Sequence, residues 1–205
     1  MKPRAQLRSL WALALLVSLG LVSFLALRHR PAPTDPADAA ASATHRTNLV
    51  FQAGHWLLPG TTNLFTGFLL DTYEDGTRKS LSAVSNGLLH GLSLGWHTNG
   101  QQQIEEHFVL GVSHGPRTKW HENGQKLSEV TIVDGQLDGT FRRWDESGAL
   151  TEEIEMKAGQ PDGLSRAYYP NGTVKTEVRL EQGRVLERHS WPDGEKPSST
   201  APPAS

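Results

Sequence analysis

Residues 115–139 read GPRTKWHENGQKLSEVTIVDGQLDG. A glycine opens the stretch and a tryptophan follows five residues later. His-Glu-Asn-Gly, an alternation of polar and apolar residues, and a closing Gly-x-x-x-Gly complete it. The same order recurs every 24 residues on both sides. The opening glycines are Gly67, Gly91, Gly115, Gly139 and Gly163; nine residues further stand Gly76, Gly100, Gly124, Gly148 and Gly172; a third set falls at Gly87, Gly111, Gly135, Gly159 and Gly183. A fixed period in the range of 20 to 50 residues is the mark of an array in which each unit packs mainly on its neighbours. The repeat therefore sets the fold class: all-β, an elongated single-layer antiparallel array of β-hairpins.

Each block reads as one hairpin. Trp96-His-Thr-Asn-Gly100, Trp120-His-Glu-Asn-Gly124, Trp144-Asp-Glu-Ser-Gly148 and Tyr168-Tyr-Pro-Asn-Gly172 each carry an aromatic residue into a turn, and Asn and Gly tolerate the positive φ that hairpin turns need. In the second strand, Val84, Phe108, Ile132, Met156 and Leu180 share one parity, with Val130, Ile154 and Val178 two places earlier. Glu105, Glu129, Glu153 and Glu177 have the opposite parity and belong on the opposite face. A three-residue loop with glycine in the left-handed region places Trp96, Trp120, Trp144 and Tyr168 on the aliphatic face, stacked in one stripe, whereas a two-residue Asn-Gly loop places them with the glutamates. The three-residue loop is the reading adopted. The Gly-x-x-x-Gly links then turn the chain into the next hairpin.

The ends depart from the pattern, as terminal repeats do. Leu49-Val50-Phe51, His55 to Leu58 and Pro59-Gly60 predict a capping hairpin over 49–66, ahead of repeats spanning 67–194. Glu187 stands where a glycine is due, Pro192 blunts further strand pairing, and Tyr73 and Trp191 are out of step with the tryptophan column.

Residues 10–27, LWALALLVSLGLVSFLAL, are uncharged and long enough to cross a bilayer core, at about 27 Å as a helix. Arg28-His29-Arg30 occupies the zone where a signal peptide would be cut, so an uncleaved signal anchor fits better than a cleaved leader. Lys2, Arg4 and Arg8 outweigh Arg28 and Arg30, which makes residues 1–9 a cytoplasmic tail and sends the array outside the cytoplasmic membrane. The Pro/Ala-rich stretch 28–48 reads as a linker and 195–205 as a disordered tail.

Composition narrows the function. A net charge of -2 with scattered Lys and Arg gives no basic face for nucleic acid. Absence of cysteine removes disulfides, thiolate metal sites, cysteine nucleophiles and lipoprotein acylation. His97 and His121, like His90 and His114, recur one period apart, about 10 Å in space, and cannot converge on one metal ion. The glutamates are separated by the same distance, too far for an acid/base pair. No nucleophile elbow, phosphate loop or zinc motif occurs, so neither catalysis, metal nor cofactor is expected. What remains as candidate binding surface is the aromatic row, Trp96, Trp120, Trp144 and Tyr168, on one face and the carboxylate row, Glu105, Glu129, Glu153 and Glu177, on the other. The partner and the oligomeric state are not written in the pattern.

The blocks from Gly67 to Gly194 resemble the bacterial variant of the MORN repeat: glycine, four residues, an aromatic, Asn-Gly, a strand with a glutamate, and a closing Gly-x-x-x-Gly. The resemblance implies a twisted antiparallel sheet acting as a protein-binding or lipid-associated scaffold. It also implies, for bacterial relatives, an antitoxin-like role, which makes neutralisation of a toxin the alternative to a membrane-anchored envelope scaffold.

Overall fold

The computed structural model describes residues 36–195. The chain divides after Ala41. The first unit contributes one short helix, α1 (Pro36–Ala41). The expected membrane segment 10–27, the tail 1–9 before it and residues 196–205 lie outside the described residues. Among the described residues no helix is long and apolar enough to cross a membrane.

The second unit begins at Ser42. Its strands are β1 (Thr44–His45), β2 (Val50–Gln52), β3 (His55–Leu57), β4 (Gly67–Thr72), β5 (Arg78–Ser85), β6 (Leu88–Trp96), β7 (Gln102–Val109), β8 (Val112–Ser113), β9 (Gly115–Trp120), β10 (Lys126–Val133), β11 (Gln136–Trp144), β12 (Leu150–Lys157), β13 (Gln160–Tyr168), β14 (Val174–Glu181) and β15 (Arg184–Ser190). From β4 to β15 each strand pairs antiparallel with its sequence neighbour, β8 being a short branch on β7. β2 and β3 pair antiparallel as a separate two-stranded sheet. The expected linker ends earlier than residue 48. β1 runs parallel to Leu69–Leu70 of β4, and His45 lies 3.0 Å from Thr72 Oγ1, so the chain is already folded onto the sheet edge there.

The turns follow the local chemistry. His97 N–H donates to Gln101 O at 2.8 Å and Gly100 N–H to His97 O at 2.9 Å, which is a three-residue loop with Gly100 at φ +85°. The same pair of bonds recurs at His121, Asp145 and Tyr169. At the opposite sheet margin the connections are two-residue turns with both residues at positive φ, from Asn86-Gly87 to Gln182-Gly183.

One expectation fails on parity. Each hairpin carries a second bulge just inside the loop: Lys79, Gln103, Leu127, Thr151 and Lys175 have no opposite residue. A single inserted residue exchanges the faces of everything beyond it. Trp96 pairs with Gln102 but Leu94 with Glu105, so the aromatic column shares the glutamate face and not the aliphatic one. The loop reading stands and the stripe drawn from it does not.

A further bulge adds two residues to each first strand, for example between the pairs Glu129↔Arg142 and Thr131↔Asp138. A glycine at positive φ lies within it. Gly163 has φ +114°, and a Cβ there would meet Glu155 Cβ at 3.0 Å and overlap its carboxylate. In the last hairpin Glu187 replaces that glycine and the bulge shrinks to one residue, Leu186. The strand thus arrives one residue early, which accounts for the position of Trp191.

Burial is concentrated near the start of the array. Leu49, Phe65, Leu69 and Val84 form a core against which Trp56 and Leu89 pack. Ile132 is 1% exposed, whereas every residue of β15 is exposed.

Candidate functional site: one charged and aromatic face

The register brings one residue of each main strand into a single transverse row. It runs Leu70, Leu81, Leu94, Glu105, Thr118, Glu129, Arg142, Glu153, Arg166, Glu177, His189. The first part is aliphatic; from Glu129 onward acid and base alternate. Directly opposed residues of unlike charge stabilise a sheet, and here each acid after Glu105 meets a base.

Glu129 accepts from Lys126 at 2.7 Å and from Arg142 at 3.3 Å. Arg142 also holds Glu153 at 2.9 Å, and Arg166 holds Glu177 at 2.8 Å. The hydrogen bond from Lys126, aided by Arg142, keeps the Glu129 carboxyl below its ordinary range despite partial burial. The bond to Glu153, then that to Glu129, raises the Arg142 guanidinium. Glu105 differs: its partner is the Gln102 amide at 3.3 Å, and no ion pair reaches it among the described residues.

The aromatic column lies beside this row. Arg78 sits 4.9 Å from the Trp96 ring centre and Lys126 5.1 Å from that of Trp144, both within cation–π range. Tyr168 donates its hydroxyl to Glu153 at 3.2 Å, and burial, with the Glu153 charge, pushes the phenol up. Trp96, Trp120, Trp144 and Tyr168 are all half-buried. The residues singled out in the sequence are therefore one surface. On it each carboxylate after Glu105 is matched to a cation, and Glu105 is the unmatched acid.

A second column, next to the aromatics, fastens block to block. Tyr73 donates to Trp96 O at 2.7 Å, His97 Nε2 lies 2.9 Å from Trp120 O, His121 Nε2 3.0 Å from Trp144 O, and Tyr169 donates to Trp191 O at 3.0 Å. Tyr73 is not a displaced tryptophan; it occupies the histidine position. Asn99 and Asn123 add bonds to Glu122 O and Glu146 O. Asp145 breaks the series by capping its own turn through Ser147 and Ala149, and those bonds, that from the Ser147 hydroxyl first, lower its carboxyl. In the links, His90 and His114 Nδ1 and Asp138 accept N–H groups 20 residues on, at 3.3–3.4 Å. Among the described residues no three His, Asp or Glu side chains converge as metal ligands.

The opposite face holds what the pattern did not reveal. At positions where the chain one period on carries Val130, Leu137 and Phe141, it has Glu106, Ser113 and Arg117. Arg117 Nε donates to Glu106 at 2.8 Å, Ser113 donates to the same carboxylate, and Ser82 and Ser93 bond each other at 2.7 Å beside them. The signal was available as a departure from the repeat, but only the register joins the residues.

No curated protein matches this chain. Residues 113–134, 137–158 and 161–180 match the family model of the MORN repeat variant, three consecutive blocks in register, and with the hairpin sheet this supports a MORN-type repeat array.

Proposed function

We propose that the chain is a non-enzymatic, membrane-anchored scaffold whose charged and aromatic face binds a protein or envelope component outside the cytoplasmic membrane of a bacterium. One observation carries the reading: the aromatic column and the carboxylate row occupy the same face at matching register, from Trp96 and Glu105 to Tyr168 and Glu177. Half-buried rings next to hydrogen-bonded charges are the composition of contact surfaces, in which aromatics supply area and polar neighbours supply specificity. The anchor is residues 10–27. The antitoxin alternative rests on the resemblance alone.

Thr118 and Lys119 are adjacent and point to opposite faces, Thr118 standing between Glu105 and Glu129. A photocrosslinking amino acid at position 118 in the full chain should yield a discrete adduct in the native host, and one at 119 should not. Equal labelling, or none, refutes the face assignment. Reporter fusions after Ser205 test the topology: alkaline phosphatase activity without green fluorescence is expected, and the reverse result places the array in the cytosol.

A further inference from the structure

We propose that the free edge of β15 pairs antiparallel with β15 of a second copy of this chain, about a two-fold axis at Arg188. The two margins of the sheet are unlike. β1 lies along one; among the described residues no strand lies along the other. All seven residues of β15 are exposed, with Val185 and Leu186 each at 53%. Such an edge offers unpaired N–H and C=O groups as a template for another strand.

Charge selects both the occupant and the register. A two-fold axis normal to the sheet keeps every side chain on its own face, so one residue must face itself at the axis. An axis at Glu187 opposes two carboxylates, and one at His189 opposes two imidazoles. An axis at Arg188 sets Glu187 against His189 of the second copy, twice, on the face where Glu187 and His189 already lie 2.9 Å apart. The alternating row then continues without a fault: Arg166, Glu177, His189, Glu187 of the second copy, and Arg179 of the second copy, because Arg179 pairs with Glu187 within each sheet. Arg188 meets its own copy on the other face, where its long stem is exposed and free to diverge. Pro192 and the bulge at Leu186 bound the paired stretch, so the contact closes as a dimer and does not propagate.

The chain has no cysteine, so each introduced one is unique. The experiment takes the full chain in detergent micelles with Glu187→Cys, Arg188→Cys or His189→Cys, each checked by circular dichroism, under mild oxidation. Opposed Cα atoms at about 4.5–5.5 Å suit a disulfide, while a Cys at 187 or 189 would stand about 8 Å from its copy. Arg188→Cys should give about fivefold more disulfide-linked dimer than either neighbour, and adding Glu187→Lys should reduce that yield several-fold. Dimer at none of the three positions, or equal dimer at all three as random collision or association through residues 10–27 would give, overturns the proposal. A maximum at 187 or 189 overturns the register and with it the charge argument.

Discussion

Glu106→Ala should be among the most damaging surface-strand substitutions in the array. The Arg117 side chain is 28% exposed and that of Glu106 13%, so removing the carboxylate leaves a guanidinium largely out of water without its counter-charge. Breaking a buried pair in this way costs about 3 kcal/mol or more, and loss of the Ser113 acceptor adds about 1 kcal/mol. Against a urea slope of about 2 kcal/mol/M, the midpoint falls by roughly 2 M. The reverse experiment replaces the whole group with the residues the next block uses, Glu106→Val, Ser113→Leu and Arg117→Phe. Val130, Leu137 and Phe141 already form that set one period away. Exchanging a buried ion pair for packed apolar side chains is neutral to stabilising by about 1–4 kcal/mol, so the triple variant should equal or exceed the native chain.

The assay is urea unfolding of the full chain, followed by tryptophan fluorescence and far-ultraviolet circular dichroism together. Two probes are needed because a repeat array can lose one end before the other. A Glu106→Ala midpoint within about 0.3 M of the native value would refute the burial argument. So would a triple variant less stable than Glu106→Ala, since that would mean the polar group is required by its surroundings and is not a local exception to them.

Further substitutions test the backbone and the fastenings by the same assay. Leu110 holds φ +50° at the first turn position while 66% exposed, so Leu110→Asn should stabilise by about 0.5–1 kcal/mol, and a loss would contradict the strain assigned to it. Gly163→Ala should destabilise by about 2 kcal/mol or more through its φ and the Glu155 side chain, with Gly54→Ala, where nothing lies within 4 Å, as the milder control. Tyr73→Phe removes only the bond to Trp96 O and should cost about 1 kcal/mol. Glu129 has a folded-state pKa below its unfolded value, so its contribution is present above the unfolded value near 4.5 and is lost as pH falls through the lower folded one. Stability measured from pH 6 down to about 2.5 should therefore fall less steeply for Glu129→Gln than for the native chain, and identical slopes would argue that Lys126 and Arg142 do not hold it.

The hairpin, the three-residue loop and the paired glycines were legible because each depends on residues adjacent in sequence: the glycine of every turn supplies a positive φ whatever packs around it. The bulge at Lys79, Gln103, Leu127, Thr151 and Lys175 was not. Those five side chains share no chemistry, and a bulged residue with ordinary φ needs no glycine to announce it. One inserted residue exchanges a whole face, moving Trp96 from the side of Ile104 to that of Glu105. The histidines show the same division. His97 and His121 recur one period apart in the sequence, yet their bonds to Trp120 O and Trp144 O, 23 residues on, belong to the stacking of blocks and not to any one block. Face assignment in an array of this kind depends on bulges that local sequence leaves unmarked. The deviating block is the better guide: where Glu106, Ser113 and Arg117 interrupt an aliphatic column, the departure is visible in sequence, and what remains to be learned from structure is that the three touch.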